Sequence, residues 1–312
     1  HAARFNPSFT RFIDVWSDLT TPPQVALHDA ATGERVRTIE ANPVPALQSL
    51  RASRPEFVEI PARDGMPLDG LVFRPPDFDP ARRYPVYQVT YAGPGIPIVR
   101  NRWMGTDYLF YQLIAQRGVM VWLLDPRSAG GRSVEAQWAI YGNLGASELR
   151  DLEDGVDWIT TKGSADPERL VIGGASYGGF MAAYALTHST RWRAGFVNAP
   201  VTDWRNYDSI YTERYMKVPE HNPDGYRQSA PRTSASQLSG PILLMHGEID
   251  DNVHMQNSIQ FAYDLQVANK PFQLMIYPRT RHGISDRSLL RHATQTMLDF
   301  LLAQTLSPTP AR

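Results

Sequence analysis

Gly174-Ala175-Ser176-Tyr177-Gly178 is the stretch of sequence that decides the fold of this chain. It follows the short apolar run 169–173 and precedes 180–186, a run typical of a helix. A strand, a G-x-S-x-G turn and a helix together form a nucleophile elbow, in which a strained turn exposes the serine hydroxyl. Glycines flank such a serine because a β-carbon would clash there. The sequence therefore predicts a serine hydrolase, with an ordinary glycine-rich turn as the alternative interpretation.

Composition limits the other classes of function. The chain has 312 residues, 42% of them apolar, which suits one large α/β domain and a small extra module. Its 31 basic and 32 acidic residues give a net charge of -1, so no nucleic acid partner is expected. Cysteine is absent, which excludes disulfides and thiolate catalysis. No apolar run is long enough to span a bilayer, and no Cys/His cluster indicates a metal.

The first residues of the chain read differently from the rest. Residues 11–17, 24–28 and 36–39 are strand-like, and 29–34 is a turn signal between the last two. We expect residues 1–50 to form a partial β-module plus a linker. The sequence starts at His1 without a signal peptide, as expected of a processed or truncated product, so the compartment stays open.

Residues 51–312 are expected to form the main domain, because strand-like and helical runs alternate there. Such alternation predicts an α/β-hydrolase fold with a mostly parallel, doubly wound sheet. The predicted strands are 57–61, 70–73, 85–91, 119–124, 170–172, 194–197, 242–246 and 273–277. The predicted helices are 107–116, 149–160, 178–187, 255–268 and 288–302.

A serine nucleophile needs a base and an acid that orients the base. In α/β-hydrolases the chain order is Ser, then Asp or Glu, then His. The strand that ends at His246 runs into a polar turn that carries the carboxylates of Glu248, Asp250 and Asp251, and the next strand runs into a loop containing His282. Both positions follow the carboxyl ends of strands, where such a sheet collects its functional groups.

Other interpretations of these polar residues stay open. Asp251 or Asn252 could cap the following helix, Asp251 being the better cap if Asp250 is the acid. His282 could be an ordinary loop histidine. We expect His246 to be structural and His254 to lie on a helix near the site.

Several stretches, in order from about Phe57 onward, carry a family resemblance. They are Tyr91–Pro94, Gly174–Gly179, Tyr207–Met216, His246–His254 and His282-Gly283. With them the chain resembles the catalytic part of dipeptidyl peptidase IV-like members of the prolyl oligopeptidase family. The opening strands are similar, more weakly, to the last blade of that family's β-propeller.

The resemblance implies a role for particular residues. Ser176 would be the nucleophile, His282 the general base and Asp250 its orienting acid. The oxyanion hole would consist of the Tyr91 hydroxyl and the backbone N–H of Tyr177. A pocket for proline would be lined by Tyr177, Val201, Trp204, Tyr207, Tyr211 and Val253, and Asn252 would donate to a substrate carbonyl. Hydrophobic core is the alternative interpretation of this aromatic set.

The activity implied is the release of N-terminal Xaa-Pro or Xaa-Ala dipeptides through an acyl-enzyme, with no cofactor. The implied partners are a peptide with a penultimate proline, an upstream β-propeller portion that supplies paired glutamates for the substrate amine, and a second copy in a homodimer. A periplasmic or secreted location is favoured by the resemblance. The loop 125–129 departs from the glycine-richer family version, which leaves its role open.

Three alternatives remain at this stage. Two are hydrolases, with acylaminoacyl-peptidase-like or carboxylesterase activity, and the third is a non-catalytic pseudopeptidase that binds partners. The aromatic set argues against the first two. All three triad positions are occupied, which argues against the third.

Overall fold

The computed structural model describes residues 1–306, apart from the side chain of Gln48. The strands are β1 (Ala2–Phe5), β2 (Arg11–Trp16), β3 (Gln24–Asp29), β4 (Arg35–Glu40), β5 (Glu56–Pro61), β6 (Pro67–Phe73), β7 (Tyr84–Val89), β8 (Met120–Asp125), β9 (Ala165–Ala175), β10 (Ala194–Asn198), β11 (Ile242–Gly247) and β12 (Phe272–Tyr277). The α-helices are α1 (Pro45–Ser49), α2 (Thr106–Gln116), α3 (Val134–Gln137), α4 (Ala146–Thr161), α5 (Tyr177–His188), α6 (Ser209–Met216), α7 (Pro223–Gln228), α8 (Gln256–Val267) and α9 (Arg287–Leu306).

The main sheet has eight strands in the order β12-β11-β10-β9-β7-β8-β6-β5. Neighbouring strands from β12 to β8 in this order pair in parallel, whereas β6 pairs antiparallel with both β8 and β5. The predicted α/β-hydrolase fold with a mostly parallel sheet is confirmed.

Two hydrophobic cores cover the two faces of this sheet, and β8 shows how one strand serves both. Met120, Trp122 and Leu124 join the core that includes residues of α4, α5 and α8. Val121 and Leu123 join the opposite core, with residues of α2 and α9. Alternation at every second residue is what a strand buried on both faces requires. The parallel strands therefore end together at one edge between two helical layers.

The chain's opening strands form a separate antiparallel sheet in the order β1-β2-β3-β4. Three strands were predicted there, so the prediction was one strand short. Ala2–Phe5 is exposed along its whole length and lacks an apolar alternation, although it pairs in register with β2. The turn predicted over 29–34 is present between β3 and β4. These strands are consistent with part of a propeller blade.

The predicted elements of the main domain are all present, with somewhat different ends. The main difference is β9, which begins at Ala165 rather than Leu170. The helix α6 was not predicted. It is only eight residues long, and it is fixed at its start by Asp208, whose carboxylate accepts a hydrogen bond from the backbone N–H of Tyr211. Within residues 1–306, no helix combines the length and apolar character needed to cross a membrane.

Candidate active site

Ser176 lies in a strained turn between β9 and α5. Its φ and ψ angles are 59° and -121°, a conformation that is costly for a residue with a β-carbon. The backbone N–H of Ser176 donates a 2.9 Å hydrogen bond to the carbonyl oxygen of Asn198, which holds the turn against β10. A β-carbon at Gly174 or Gly178 would overlap the carbonyl oxygen of Thr90. These two glycines therefore let the turn pack against the end of β7.

The three residues predicted as a triad come together at the carboxyl edge of the sheet. Ser176 Oγ lies 2.9 Å from Nε2 of His282, and Nδ1 of His282 lies 2.7 Å from Oδ2 of Asp250. Ser176 follows β9, Asp250 follows β11 and His282 follows β12. With Nδ1 protonated and donating to the carboxylate, Nε2 is free to accept the serine proton.

Asp250 is buried yet strongly favoured in its ionised form. Burial raises its pKa, but hydrogen bonds from His246 and His282 and from the backbone N–H of Asn252 prevail and hold the pKa well below its usual value. Its Oδ1 accepts backbone N–H bonds of 3.0 Å from both Asn252 and Val253. A carboxylate held by several donors stays charged and keeps a fixed orientation.

His246 contacts this carboxylate and has the structural role expected for it. The side chain is fully buried. Its Nε2 lies 2.7 Å from the carbonyl oxygen of Val253 and 3.2 Å from Oδ2 of Asp250, while its Nδ1 lies 2.7 Å from Oγ of Ser258. Both ring nitrogens are thus engaged, and the ring fixes the Asp250 turn to the start of α8.

Two expectations about neighbouring residues were wrong. Helix α8 begins at Gln256 after Met255, with no side-chain cap, so neither Asp251 nor Asn252 caps it. Asp251 instead forms an ion pair with Arg281 beside the histidine loop. His254 precedes α8 rather than lying on it. The reason is that the Asp250 carboxylate organises its own turn over 250–253, which delays the helix by a few residues.

Two candidate oxyanion donors lie beside the serine. Burial raises the pKa of the Tyr91 hydroxyl, and its interaction with the Ser176 side chain partly opposes that rise. Tyr177 is the first residue of α5, so its N–H is one of the helix N–H groups that have no intrahelical acceptor. The side chain of Tyr91 and the backbone of Tyr177 therefore approach the serine together.

The loop 125–129, whose role the sequence left open, holds the loop that follows Tyr91. Asp125 accepts backbone N–H bonds from Ile98 at 2.8 Å and from Val99 at 2.9 Å. Buried Ser128 donates a 3.1 Å bond to the carbonyl oxygen of Ala92. Burial raises the pKa of Asp125 to about 6, although the two N–H donors lower it. Loop 125–129 thus fixes the residues next to Tyr91.

The aromatic residues predicted to line a proline pocket are adjacent in space. The ring of Trp204 lies 5.5 Å from that of Tyr177, 6.0 Å from Tyr207 and 6.1 Å from Tyr211. Tyr177, Trp204 and the two valines of the set, Val201 and Val253, belong to the buried core, whereas Tyr207 and Tyr211 are partly exposed. Both interpretations of this set therefore hold in part, since its inner residues are core and its outer residues reach solvent.

Asn252 lies at the exposed side of this aromatic set. The hydroxyl of Tyr207 donates a 2.9 Å hydrogen bond to Oδ1 of Asn252. Because the amide oxygen is occupied, the amide N–H groups of Asn252 are left to donate elsewhere. The side chain is therefore oriented as a donor toward solvent.

Glu148 is a residue of the site that sequence reasoning missed. It is fully buried in the first turn of α4, and its Oε1 accepts a 2.7 Å hydrogen bond from the hydroxyl of Tyr177. Its Oε2 accepts bonds of 3.1 Å from the N–H of Gly145 and from the hydroxyl of Ser147. Burial raises the pKa of Glu148 to about 7 against the lowering effect of these donors. A glutamate three residues into a helix reads as a capping residue, which conceals its contact with the elbow.

Residues 1–306 contain no group of three or more His, Asp or Glu side chains arranged to hold a metal ion.

Comparison with known proteins points in one direction. Residues 107–307 match the prolyl oligopeptidase family of peptidases. A protein of Ajellomyces capsulatus named probable dipeptidyl-aminopeptidase B is 36% identical over 276 residues, which are 85% of this chain and 29% of that protein. The protein of the same name from Aspergillus oryzae is 38% identical over 253 residues, 80% of this chain and 28% of its own length.

A solved structure is similar over nearly the whole chain. The crystal structure of Porphyromonas gingivalis dipeptidyl peptidase 4 superposes with a TM-score of 0.93 at 34% identity, covering 97% of this chain and 43% of that one. The chain thus spans less than a third of the fungal relatives and less than half of the bacterial one. Matched by the family over most of its main domain, and similar to such relatives in sequence and structure, the chain belongs to the prolyl oligopeptidase family.

Proposed function

We propose that this chain carries the catalytic machinery of a serine dipeptidyl peptidase that releases N-terminal Xaa-Pro, or less readily Xaa-Ala, dipeptides. The observation that carries the proposal is the continuous hydrogen-bonded series from Asp250 through His282 to Ser176, with distances of 2.7 Å and 2.9 Å. A serine hydroxyl is a weak nucleophile, and a base so oriented is what its activation requires.

In the acylation step, Oγ of Ser176 attacks the carbonyl carbon of the scissile bond while Nε2 of His282 takes its proton. Asp250 holds the imidazole and stabilises its positive charge. The negative charge that develops on the carbonyl oxygen is stabilised by the Tyr91 hydroxyl and the N–H of Tyr177. His282 then gives the proton to the departing amine, leaving the dipeptide esterified to Ser176.

Deacylation repeats these roles with water. The water loses a proton to His282 as it attacks the ester carbonyl, and the proton returns to Oγ of Ser176 when the acid is released. No group outside the chain is needed to balance either step.

Specificity for proline is supported by the aromatic set around Trp204. A flat pyrrolidine ring fits between aromatic faces, and Tyr207 and Tyr211 supply accessible ones. Because Tyr207 occupies the amide oxygen of Asn252, its amide N–H groups are available to donate to the carbonyl of the first substrate residue. The names of the relatives support dipeptide release. An ester substrate would not require this aromatic slot, so the carboxylesterase alternative is less well supported.

We further propose that residues 51–312 form the catalytic domain and that residues 1–50 belong with an upstream β-propeller portion. The separate four-stranded sheet and the greater length of the relatives support this division. The anchor for the free amino group of the substrate is expected in that upstream portion.

The experiment compares the full-length protein with the isolated chain 1–312. Both should react with a fluorophosphonate at Ser176, because the triad lies within this chain. Full-length protein should cleave free Xaa-Pro substrates in strong preference to N-acetylated ones. The isolated chain should discriminate weakly, because loss of a charge-assisted anchor typically costs about 2–5 kcal/mol of binding. No fluorophosphonate labelling would refute the catalytic role, and equal discrimination by both forms would place the anchor within this chain.

A further inference from the structure

A cleft of about 570 Å³ opens on Ser176. Ser176, Tyr91 and His282 line it, together with Ala175, the residue before the nucleophile. None of Tyr177, Val201, Trp204, Tyr207, Tyr211 or Val253 does. The cleft and the aromatic set therefore share no lining residue, although both adjoin the serine. A substrate whose acyl part occupies the aromatic set leaves this cleft free for its leaving amine.

The walls of the cleft are apolar. Trp103 and Met104 contribute from the segment before α2, Phe110 from α2, Phe196 from β10 and Met297 from α9. Such walls accept the methylene stem of a side chain and exclude water from it.

The cleft also contains polar groups that have no hydrogen-bond partner among residues 1–306. Tyr87 and Tyr111 are only 5% and 8% exposed, yet within residues 1–306 neither hydroxyl has a hydrogen-bond partner. Both tyrosines line the cleft, and Asp107 acts electrostatically on both hydroxyls. Buried hydroxyls without a partner are uncommon in native structures and call for a ligand or water.

Asp107 supplies a negative charge beside these hydroxyls. Its carboxylate raises the pKa of the Tyr111 hydroxyl, after the larger effect of burial. The surface of Asp107 remains accessible from the cleft, while the surrounding protein raises its own pKa by desolvation. Within residues 1–306, Asp107 forms no ion pair.

Two arginines also line the cleft and could in principle neutralise Asp107. Arg100 acts electrostatically on the buried carboxylate of Asp125, whose pKa it lowers. Arg102 is exposed to solvent, as Asp107 is, and within residues 1–306 it forms no ion pair. Neither is paired with Asp107, so the carboxylate and the two hydroxyls stay available to a cation.

We propose that this cleft binds the side chain of the residue that follows the scissile bond and that it favours lysine or arginine, with Asp107, Tyr87 and Tyr111 accepting the cationic end. This inference rests on the proposed peptidase function. It assigns a preference on the leaving side of the bond, which is separate from the preference for proline on the acyl side.

The test uses the full-length protein and peptides Xaa-Pro-Yaa that differ only in Yaa, with Yaa as lysine, norleucine or glutamate. Norleucine matches the lysine stem without its charge. The measured quantity is the ratio of kcat/KM for lysine to that for norleucine, because kcat/KM reports acylation, the step in which the leaving residue is bound. We expect a ratio above one in the wild type, and Asp107→Asn should lower it about tenfold, as expected for loss of a hydrogen bond to a charged group.

Three further variants sharpen the result. Asp107→Lys should shift the preference toward glutamate. Tyr111→Phe, which removes only the hydroxyl, should lower the lysine ratio by a smaller factor. Asp299→Asn makes the same chemical change on the exposed side of α9 and should leave the ratio at the wild-type value.

The acyl-enzyme is identical for every Yaa, so its rate of hydrolysis serves as the readout of an intact triad. A variant that damaged the fold would slow deacylation as well, whereas a change in the cleft alone would not. A lysine-to-norleucine ratio that is the same in wild type and Asp107→Asn, with deacylation unchanged, would overturn the inference. Absence of turnover for every peptide would overturn the proposed function and this inference together.

Discussion

The hydroxyl of Tyr177 donates a 2.7 Å hydrogen bond to Oε1 of Glu148, and this bond joins the nucleophile elbow to the first turn of α4. Tyr177 contributes to the proposed site twice, since its backbone N–H is the proposed oxyanion donor and its ring lies 5.5 Å from that of Trp204. The fully buried carboxyl of Glu148 therefore fixes the position of Tyr177 in both of these roles.

Glu148 should make stability depend on pH. Its pKa in the folded protein is raised from 4.5 to about 7, mainly by burial, so the folded state holds this proton more tightly than the unfolded state does. The contribution is therefore fully present below pH 4.5 and is lost as the pH rises to about 7. Glu148→Gln cannot titrate, so its free energy of unfolding should fall less than that of the wild type over this interval.

Urea unfolding at several pH values between 4.5 and 7 measures this difference. Glu135→Gln, a change at an exposed glutamate, is the control and should follow the wild type. If the free energy of unfolding fell equally with pH in the wild type and in Glu148→Gln, this carboxyl would not titrate as described.

Replacing the nucleophile or the base should abolish turnover. Ser176→Ala removes the attacking oxygen and His282→Ala removes the proton acceptor, and because triad residues act as a unit each loss should be on the order of 10⁶-fold in kcat. His221→Ala changes an exposed histidine outside the triad and should retain wild-type activity. Steady-state assays with an Xaa-Pro substrate decide the matter. Appreciable turnover by pure Ser176→Ala protein would exclude this serine as nucleophile.

Tyr91→Phe isolates the side-chain donor of the oxyanion hole. The change removes one hydroxyl and leaves the ring, so kcat should fall roughly 10²–10³-fold, the usual cost of losing such a donor. KM should change much less, because the bond strengthens mainly in the transition state. Tyr141→Phe removes a hydroxyl from an exposed tyrosine and is the matched control. A kcat within a few-fold of the wild type would rule out this role for Tyr91.

The depressed pKa of Asp250 predicts the shape of the acid limb of activity. Hydrogen bonds from His246, His282 and the N–H of Asn252 outweigh burial, so the carboxylate of Asp250 stays ionised well below the usual pKa of an aspartate. A plot of log kcat/KM against pH should therefore fall in acid with a slope of about one, because Asp250 adds no ionisation of its own to the limb. A slope of about two would mean that Asp250 is protonated within the same limb.

The sequence predicted those parts of the molecule that depend on local signals. Apolar strands bounded by turns gave the sheet, and the G-x-S-x-G turn identified Ser176. Chain order and strand ends led to His282 and to a turn with several carboxylates, of which the family resemblance singled out Asp250. The structure brings Asp250 and His282 within hydrogen-bond distance of their partners. These features could be predicted because each residue follows directly from a recognisable strand.

Features that depend on long-range contacts could not be predicted. Glu148 meets Tyr177 across 29 positions of sequence, and Asp125 binds Ile98 and Val99 across 27 and 26. A buried carboxylate has no pattern of its own, because its partners are defined only when the chain has folded. The supposed cap at Asp251 failed for the same reason, since the ion pair with Arg281 is formed between two loops.

The cleft beside Ser176 is built largely from a different part of the chain than the triad. Trp103, Met104 and Asp107 lie in the connection from β7 to β8, whereas Ser176, Asp250 and His282 follow β9, β11 and β12. Substitutions in that connection can alter the fit of a leaving residue while the attacking geometry stays intact. Proteins with the same triad can thus differ in the peptides they process, and we expect the sequence differences responsible to lie in the segment between β7 and β8.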